Sequence, residues 1–323
     1  MIANILMLLL GLAGLFYGGN WLVRGASNLA LSFGVSVLVI GMTIVALGTS
    51  MPELLVSVQA ALAGKSDLAV GNVIGSNIAN IGLILGATGL ITPLVVQAIL
   101  LRREIPIMIL ITAGTFALAA DGQISRLDGA VLLGGFLAFN LVFTMRARGE
   151  RNARKSLDAE TAERTEKIRR WRELAFLLAG IAVLVISSRL MVEGAVNLAR
   201  MVGISELVIA ITLVAFGTSL PELAASLSAA WQKETDLAIG NIVGSNIANL
   251  LLILGATALI QPIPVDRAEV QLEFVVMIAF AALLIPCARK QRLSRRSSLV
   301  FLLAYAGFVI YSLASGGAPN LLQ

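Results

Sequence analysis

Histidine is absent from the 323 residues, and cysteine occurs once, as Cys287. The first absence excludes imidazole general bases and imidazole metal ligands. The second excludes an internal disulfide. Soft metals need thiolate or imidazole donors, so any ion held here is a hard one held by oxygen. Charge is scarce as well: Asp, Glu, Lys and Arg make up 13% of the chain, against 58% hydrophobic residues. A soluble domain is usually about a quarter charged. This is the composition of a polytopic membrane protein, an all-α one because apolar runs of helical length recur along it.

Taking about 20 apolar residues per span, ten helices are predicted, near 3–23, 32–62, 68–92, 104–120, 126–145, 174–195, 204–230, 237–260, 268–288 and 298–315. The first apolar run has no basic segment before it and reads as a retained span rather than a signal peptide. Asp67 and Asp236 are predicted to cap the third and eighth helices. Lysine and arginine give the orientation. Odd-numbered connections hold nineteen of them, from Arg24 and Arg102 through the central segment to Arg296, and even-numbered ones hold four. Both termini are therefore expected outside a cell membrane, with the central segment in the cytoplasm. The net charge of +5 is a topology signal and not a nucleic-acid footprint, since the basic residues lack interleaved aromatics. No obligate protein partner is implied; the partners are the bilayer and whatever is carried across it.

The chain repeats itself. Residues 41–90 and 210–259 align without a gap at an offset of 169, with 30 of 50 positions identical. The expected organisation is a five-helix repeat over 1–145, a charged linker over 146–173, and a second five-helix repeat over 174–323. Five is odd, so the second repeat enters the membrane inverted. Inverted repeats characterise secondary transporters, which bind substrate at the midplane between the halves.

Two segments carry the chemistry. The first is G-T-S-x-P-E, Gly48 to Glu53 and Gly217 to Glu222. Pro52 and Pro221 supply no N–H, so the carbonyls of Gly48 and Gly217 lose their helical partners and those of Thr49 and Thr218 are loosened. Thr49, Ser50, Thr218 and Ser219 add hydroxyl oxygens. A carboxylate in mid-span costs about 2.5–3.5 kcal/mol on insertion scales, and two at matching positions, Glu53 and Glu222, point to a bound cation. The second segment is G-N-x-x-G-S-N-I-A-N, Gly71 to Asn80 and Gly240 to Asn249. On a helix Asn72, Ser76 and Asn80 share one face, as do Asn241, Ser245 and Asn249. Asn80 and Asn249 are read as ion contacts, and Asn72 and Asn241 as helix-to-helix hydrogen bonders. Paired Gly71 and Gly75, and Gly240 and Gly244, allow close helix approach.

With these segments doubled across the whole chain, the sequence resembles the cation/calcium antiporter superfamily, and within it the prokaryotic sodium/calcium exchangers. The resemblance implies that Glu53 and Glu222 are shared ligands of Ca²⁺ and Na⁺, with the carbonyls of Thr49 and Thr218 completing the calcium shell. It implies that sodium uses Ala46, Ser50 and Ser245 on one side and Ala215, Ser219 and Ser76 on the other, with Asn80 and Asn249 lining the middle. No cofactor is implied; Ca²⁺ and Na⁺ are cargo. The potassium-dependent branch carries Asp where this chain has Asn249, so potassium co-transport is not expected. In the family's mechanism the long first and sixth helices slide across a rigid core of eight.

Three other functions compete. A proton could drive calcium exchange on the same fold. A channel could use the same carboxylates, though paired midplane acids suit a carrier better. An intramembrane hydrolase with Ser50 or Ser219 as nucleophile would lack a histidine base. Two pairs stand apart. Glu104 and Glu273 match across the repeats and read as helix-start carboxylates favoured by the dipole. Arg24 and Glu193 match with opposite sign, without explanation in the sequence.

Overall fold

Nothing between Arg24 and Phe33 breaks a helix, and in the computed structural model, which describes residues 1–154, 169–203 and 215–314, the first helix runs through that stretch. Helix α1 covers Ile2–Phe33 and stops at Gly34, whose φ of 63° forms a left-handed cap. Arg24, predicted to lie in a connection, is therefore helical. Its charge is accommodated by Glu173, 3.4 Å away, and by the face of Phe176, 4.1 Å from the guanidinium carbon.

Helices α2 (Val37–Thr49) and α3 (Met51–Leu62) meet at a 44° bend. After them come α4 (Ser66–Ile91), α5 (Leu100–Asp121), α6 (Arg126–Arg154) and α7 (Arg170–Met201). The second half continues with α8 (Ala215–Thr218), α9 (Leu220–Trp231), α10 (Thr235–Ile260), α11 (Arg267–Cys287) and α12 (Arg295–Ala314). Seven described helices are long and apolar enough to cross a membrane, and the bent α2–α3 pair makes an eighth if counted as one span. The predicted span over 204–230 starts on residues 204–214, outside the described residues, and residues 155–168 of the linker lie outside them too. The part of the linker that is described extends α6 to Arg154 and opens α7 at Arg170.

The two long helices, α1 and α7, pack along each other in opposite directions. A Cβ added to Gly11 would meet Met191, one on Gly18 would meet Gly180 and Leu184, and one on Gly25 would lie 2.5 Å from the Leu177 nitrogen. Numbers rise on one helix as they fall on the other. Glycine is required here because backbone touches backbone. Helices α4 and α10 lie deepest. On α10, a Cβ on Gly240 would stand 2.8 Å from the Leu38 oxygen, and one on Gly244 2.6 Å from the Met42 Cα, so this glycine pair does bring α10 onto α2. Gly75 meets nothing within 4 Å among the described residues.

Four features depart from the sequence-based expectations or lie beyond them. Two short antiparallel ladders join the halves: β1 (Leu94–Val95) pairs with β4 (Arg292–Leu293), and β2 (Gln123–Ile124) with β3 (Ile263–Pro264). Adding 169 to β1 gives β3, and adding it to β2 gives β4, so the two ladders exchange under the repeat. Asp67 and Asp236 do not cap their helices. Lys65 and Glu234 hold those positions, and the aspartates sit in the first turn. There the dipole favours them, and Asp236 also accepts from Gln97 Nε2 at 2.7 Å. Glu104 is not at a helix start, because α5 begins four residues earlier; it is buried and paired with Arg103. Finally, π-helical turns interrupt α2 at Gly41–Val45, α4 at Asn80–Ile84 and α10 at Asn249–Ile253, and another opens α5 at Leu100–Glu104. Such turns gather at functional sites.

Candidate cation site

The bend between α2 and α3 follows from Pro52. With no N–H at Pro52, the helix cannot carry its hydrogen-bond ladder through Gly48, and Ser50 sits at φ −84°, ψ 8°. Ser219, before Pro221, has φ −87°, ψ 4°. The break places Glu53 and Glu222 in the first turns of α3 and α9, where the helix N-terminus favours a negative charge. Both are buried to within 1% of full exclusion.

Each carboxylate is held by the opposite half. The Ser50 hydroxyl donates to Glu222 Oε1 at 2.8 Å, and the Ser219 hydroxyl donates to Glu53 Oε1 at 3.2 Å. The second oxygen of each glutamate, Oε2, has no hydrogen-bond partner among the described residues. Behind them stands a matched pair of supports. Asn72 Nδ2 donates to the Glu53 carbonyl at 3.1 Å and to Ser57 Oγ at 2.9 Å. Asn241 Nδ2 does the same to the Glu222 carbonyl at 3.4 Å and Ser226 Oγ at 3.1 Å. Thr49 Oγ1 lies 3.2 Å from Asn241 Oδ1, and Thr218 Oγ1 3.5 Å from Asn72 Oδ1. Asn72 and Asn241 are thus the bridging groups that their position suggested.

The other candidate residues converge on the same centre, with differences. Ser76 Oγ is 3.3 Å from Ser219 Oγ, whereas Ser245 Oγ is buried with no partner among the described residues. Asn80 and Asn249 open the π turns of α4 and α10. Their amides reach across the midline, Asn249 Nδ2 to Asn77 Oδ1 at 3.0 Å and Asn80 Nδ2 to Asn246 Oδ1 at 3.5 Å. Their Oδ1 atoms carry no hydrogen bond. The Ala46 carbonyl already accepts the Ser50 N–H at 3.1 Å. Ala215 opens α8.

Sequence reasoning missed three contributors. Asn77 and Asn246 hold the side-chain amides of Asn249 and Asn80. Ser188 of α7 donates to the Gly217 carbonyl at 2.6 Å, so the oxygen freed by Pro221 is taken by a hydroxyl. The matching residue on α1 is Gly19, which has no side chain to give. What the centre offers is two carboxylate oxygens, two amide oxygens and a hydroxyl, all buried and all without a hydrogen-bond partner among the described residues. Burial without partners is costly, and an oxygen set of this kind suits a hard cation.

Comparison with known proteins follows the same outline. The family model described as sodium/calcium exchanger protein matches residues 3–145 and 173–314. The chain is 40% identical over 312 residues to the putative antiporter CaxA of Alkalimonas amylolytica, covering 95% of this chain and 98% of that one. It is 33% identical to the sodium/calcium exchanger MaX1 of Methanosarcina acetivorans, over 95% and 97%. A solved structure of the sodium-calcium exchanger NCX_Mj superposes with a TM-score of 0.83 at 34% identity, covering 97% of this chain and 99% of its own.

Proposed function

The chain belongs to the sodium/calcium exchanger protein family, a family of membrane transporters, and we propose that it exchanges Na⁺ for Ca²⁺ by alternating access, without potassium. The observation that carries this reading is the crossed pairing at the centre: Ser50 on Glu222, Ser219 on Glu53, and one free oxygen on each carboxylate. A site shared equally by both halves is what a carrier needs if either half can release the ion to its own side.

In this reading Glu53, Glu222 and the carbonyls of Thr49 and Thr218 hold Ca²⁺. Sodium takes Ser50, Ser245 and Ala46 on one side and Ser219, Ser76 and Ala215 on the other, with Asn80 and Asn249 between. Two carboxylates neutralise one Ca²⁺. Three Na⁺ on the same pair leave one net positive charge, whose movement couples transport to voltage at about 2.3 kcal/mol per 100 mV. An empty centre leaves two bare carboxylates in a low-dielectric core, so the carrier changes access only when loaded, and exchange is obligatory. The ten-span, inverted-repeat architecture is part of the same proposal. It is supported by the opposed packing of α1 and α7, which occupy matching positions in the two halves, and by the ladders that exchange at the 169-residue offset. Both termini outside and the linker in the cytoplasm remain the orientation that the basic residues favour.

The test is calcium uptake into proteoliposomes under outward Na⁺, K⁺ or H⁺ gradients in turn. Uptake driven by outward sodium, unchanged by potassium and accelerated by an inside-positive potential, is the expected result, because each cycle carries one net positive charge outward. Uptake driven only by a pH gradient would keep the site and replace the driver ion.

A further inference from the structure

Outside the cation site, a groove that combines apolar walls with charge lies where α5 begins and α11 ends. It has a volume of about 340 Å³ and is lined by Ala98, Leu101, Arg102, Ile285, Arg289 and Gln291. Its shape is fixed by backbone. Gln291 adopts φ 55°, and its carbonyl accepts the Val96 N–H at 2.9 Å beside the Leu94–Leu293 ladder.

The two arginine side chains stand without an ion-pair partner among the described residues. Arg103, next along, is neutralised by the buried Glu104, but the guanidinium groups of Arg102 and Arg289 have no carboxylate or carbonyl partner among the described residues. Both are exposed. They stand at one depth: the apolar run of α5 starts at Leu100, and that of α11 ends at Cys287. That is the level of lipid headgroups, while Leu101 and the exposed Ile285 continue the groove toward the acyl region. Basic pockets between spans at this level suit anionic headgroups, and guanidinium binds phosphate in a fork.

The repeat supplies an internal comparison. At the 169-residue offset, Arg102 corresponds to Gln271 and Arg289 to Ala120, so the duplicated fold carries this basic pair on one membrane face only. We propose that the groove is a binding site for an anionic phospholipid headgroup, its phosphate held between Arg102 and Arg289 and its first acyl carbons against Leu101 and Ile285. Topology alone would account for basic residues here but not for their convergence on one apolar-walled groove.

The experiment is native mass spectrometry of the full chain released from membranes of phosphatidylglycerol, or of phosphatidylcholine, compared with R102Q, R289A and the double variant, which install the residues of the other half. One tightly retained phosphatidylglycerol is expected in the parent. Each substitution should lower its retention about fivefold, the double variant about 25-fold, at about one basic residue's worth of headgroup attraction each. R102K/R289K should retain part of it, and melting in lipid-free detergent should stay unchanged. Equal retention by parent and double variant, equal retention of phosphatidylcholine, or full displacement by millimolar inorganic phosphate would each overturn the proposal. Sodium–calcium exchange is not the readout, so this result stands apart from that of the cation site.

Discussion

Replacing Glu53 by Gln removes one negative charge and nearly no volume. Ser219 still finds an oxygen at the same place, 3.2 Å away, and Asn72 still holds the Glu53 backbone carbonyl, so the local structure is expected to survive. What is lost is half of the charge that balances a divalent ion inside a site buried to 1% exposure. Removing one partner of a buried, compensated charge set costs about 3–5 kcal/mol, two to three and a half powers of ten in affinity. Calorimetric titration of Ca²⁺ into detergent-solubilised protein measures that directly, and sodium-driven uptake of radioactive calcium measures its consequence. The crossed geometry adds a sharper demand: Glu222→Gln should match Glu53→Gln within a few-fold, and the double variant should lose far less than the sum, because the second carboxylate has little left to balance. Exchange by Glu53→Gln within threefold of the parent, or a large inequality between the two single variants, would refute the assignment of a shared site.

Four further variants probe the supports and the packing. Ser50→Ala and Ser219→Ala each remove a hydrogen bond to a charged acceptor, worth about 1.5–3 kcal/mol. Calcium affinity measured by titration should fall in both, more in Ser50→Ala, whose bond is 2.8 Å against 3.2 Å. In Gly180→Ala the new Cβ would stand 2.5 Å from the Leu22 nitrogen and 2.8 Å from the Gly18 oxygen, so overpacking of about 1–3 kcal/mol should lower the melting temperature. Gly114→Ala, with nothing within 4 Å, should leave it unchanged or raise it.

The doubled motif makes the two glutamates, the hydroxyls beside them and the proline breaks readable without a structure, because a mid-span acid needs a partner and a helical proline frees a carbonyl. It does not say which half holds which acid. Only the fold shows that Ser50 belongs to Glu222. Asn77 stayed hidden behind a helical-face argument: it lies about 100° around the helix from Ser76, off the line through Asn72, Ser76 and Asn80. The π turns at Asn80 and Asn249 shift the register by one residue and rearrange those faces, and no spacing of apolar residues announces them. The length of α1 is hidden for an electrostatic reason, since Arg24 reads as a loop charge until Glu173 and Phe176 are seen beside it. The same contact accounts for the base at Arg24: the Glu173–Arg24 pair occupies one end of the α1–α7 pair, and at the other end, where Glu193 matches Arg24, the position matching Glu173 is Asn4, so the ion pair is not repeated.

That inequality extends along the α1–α7 pair, and under the alternating access proposed above it specifies the opposite-facing state. The core obeys the 169-residue exchange in its ladders, its Ser–Glu bonds and its Asn supports, but the long helices do not. Gly48 packs against Ile181 and Gly217 against Val192, both on α7, while Gly19 of α1 lies on Ser228. If sliding of the pair exchanges the roles of the halves, each unequal contact has a counterpart in the opposite-facing state. The contact of Gly19 with Ser228 becomes one of Ser188 with Gln59. The prediction can be read by cross-linking in a background where the lone Cys287 is replaced. A Cβ on Gly19 would stand 2.9 Å from the Ser228 Cβ, against the roughly 3.8 Å that a disulfide prefers, so Gly19→Cys with Ser228→Cys should close after a small relaxation and stop transport in the state described here. Ser188→Cys with Gln59→Cys should close only when the carrier turns over, faster with ions supplied on both sides, and should arrest it as well. Transport that continues through the 19–228 cross-link would mean that the long helices stay fixed while ions cross. Active transport with no cross-link ever forming at 59–188 would mean that they move, but not by exchanging the roles of the two halves.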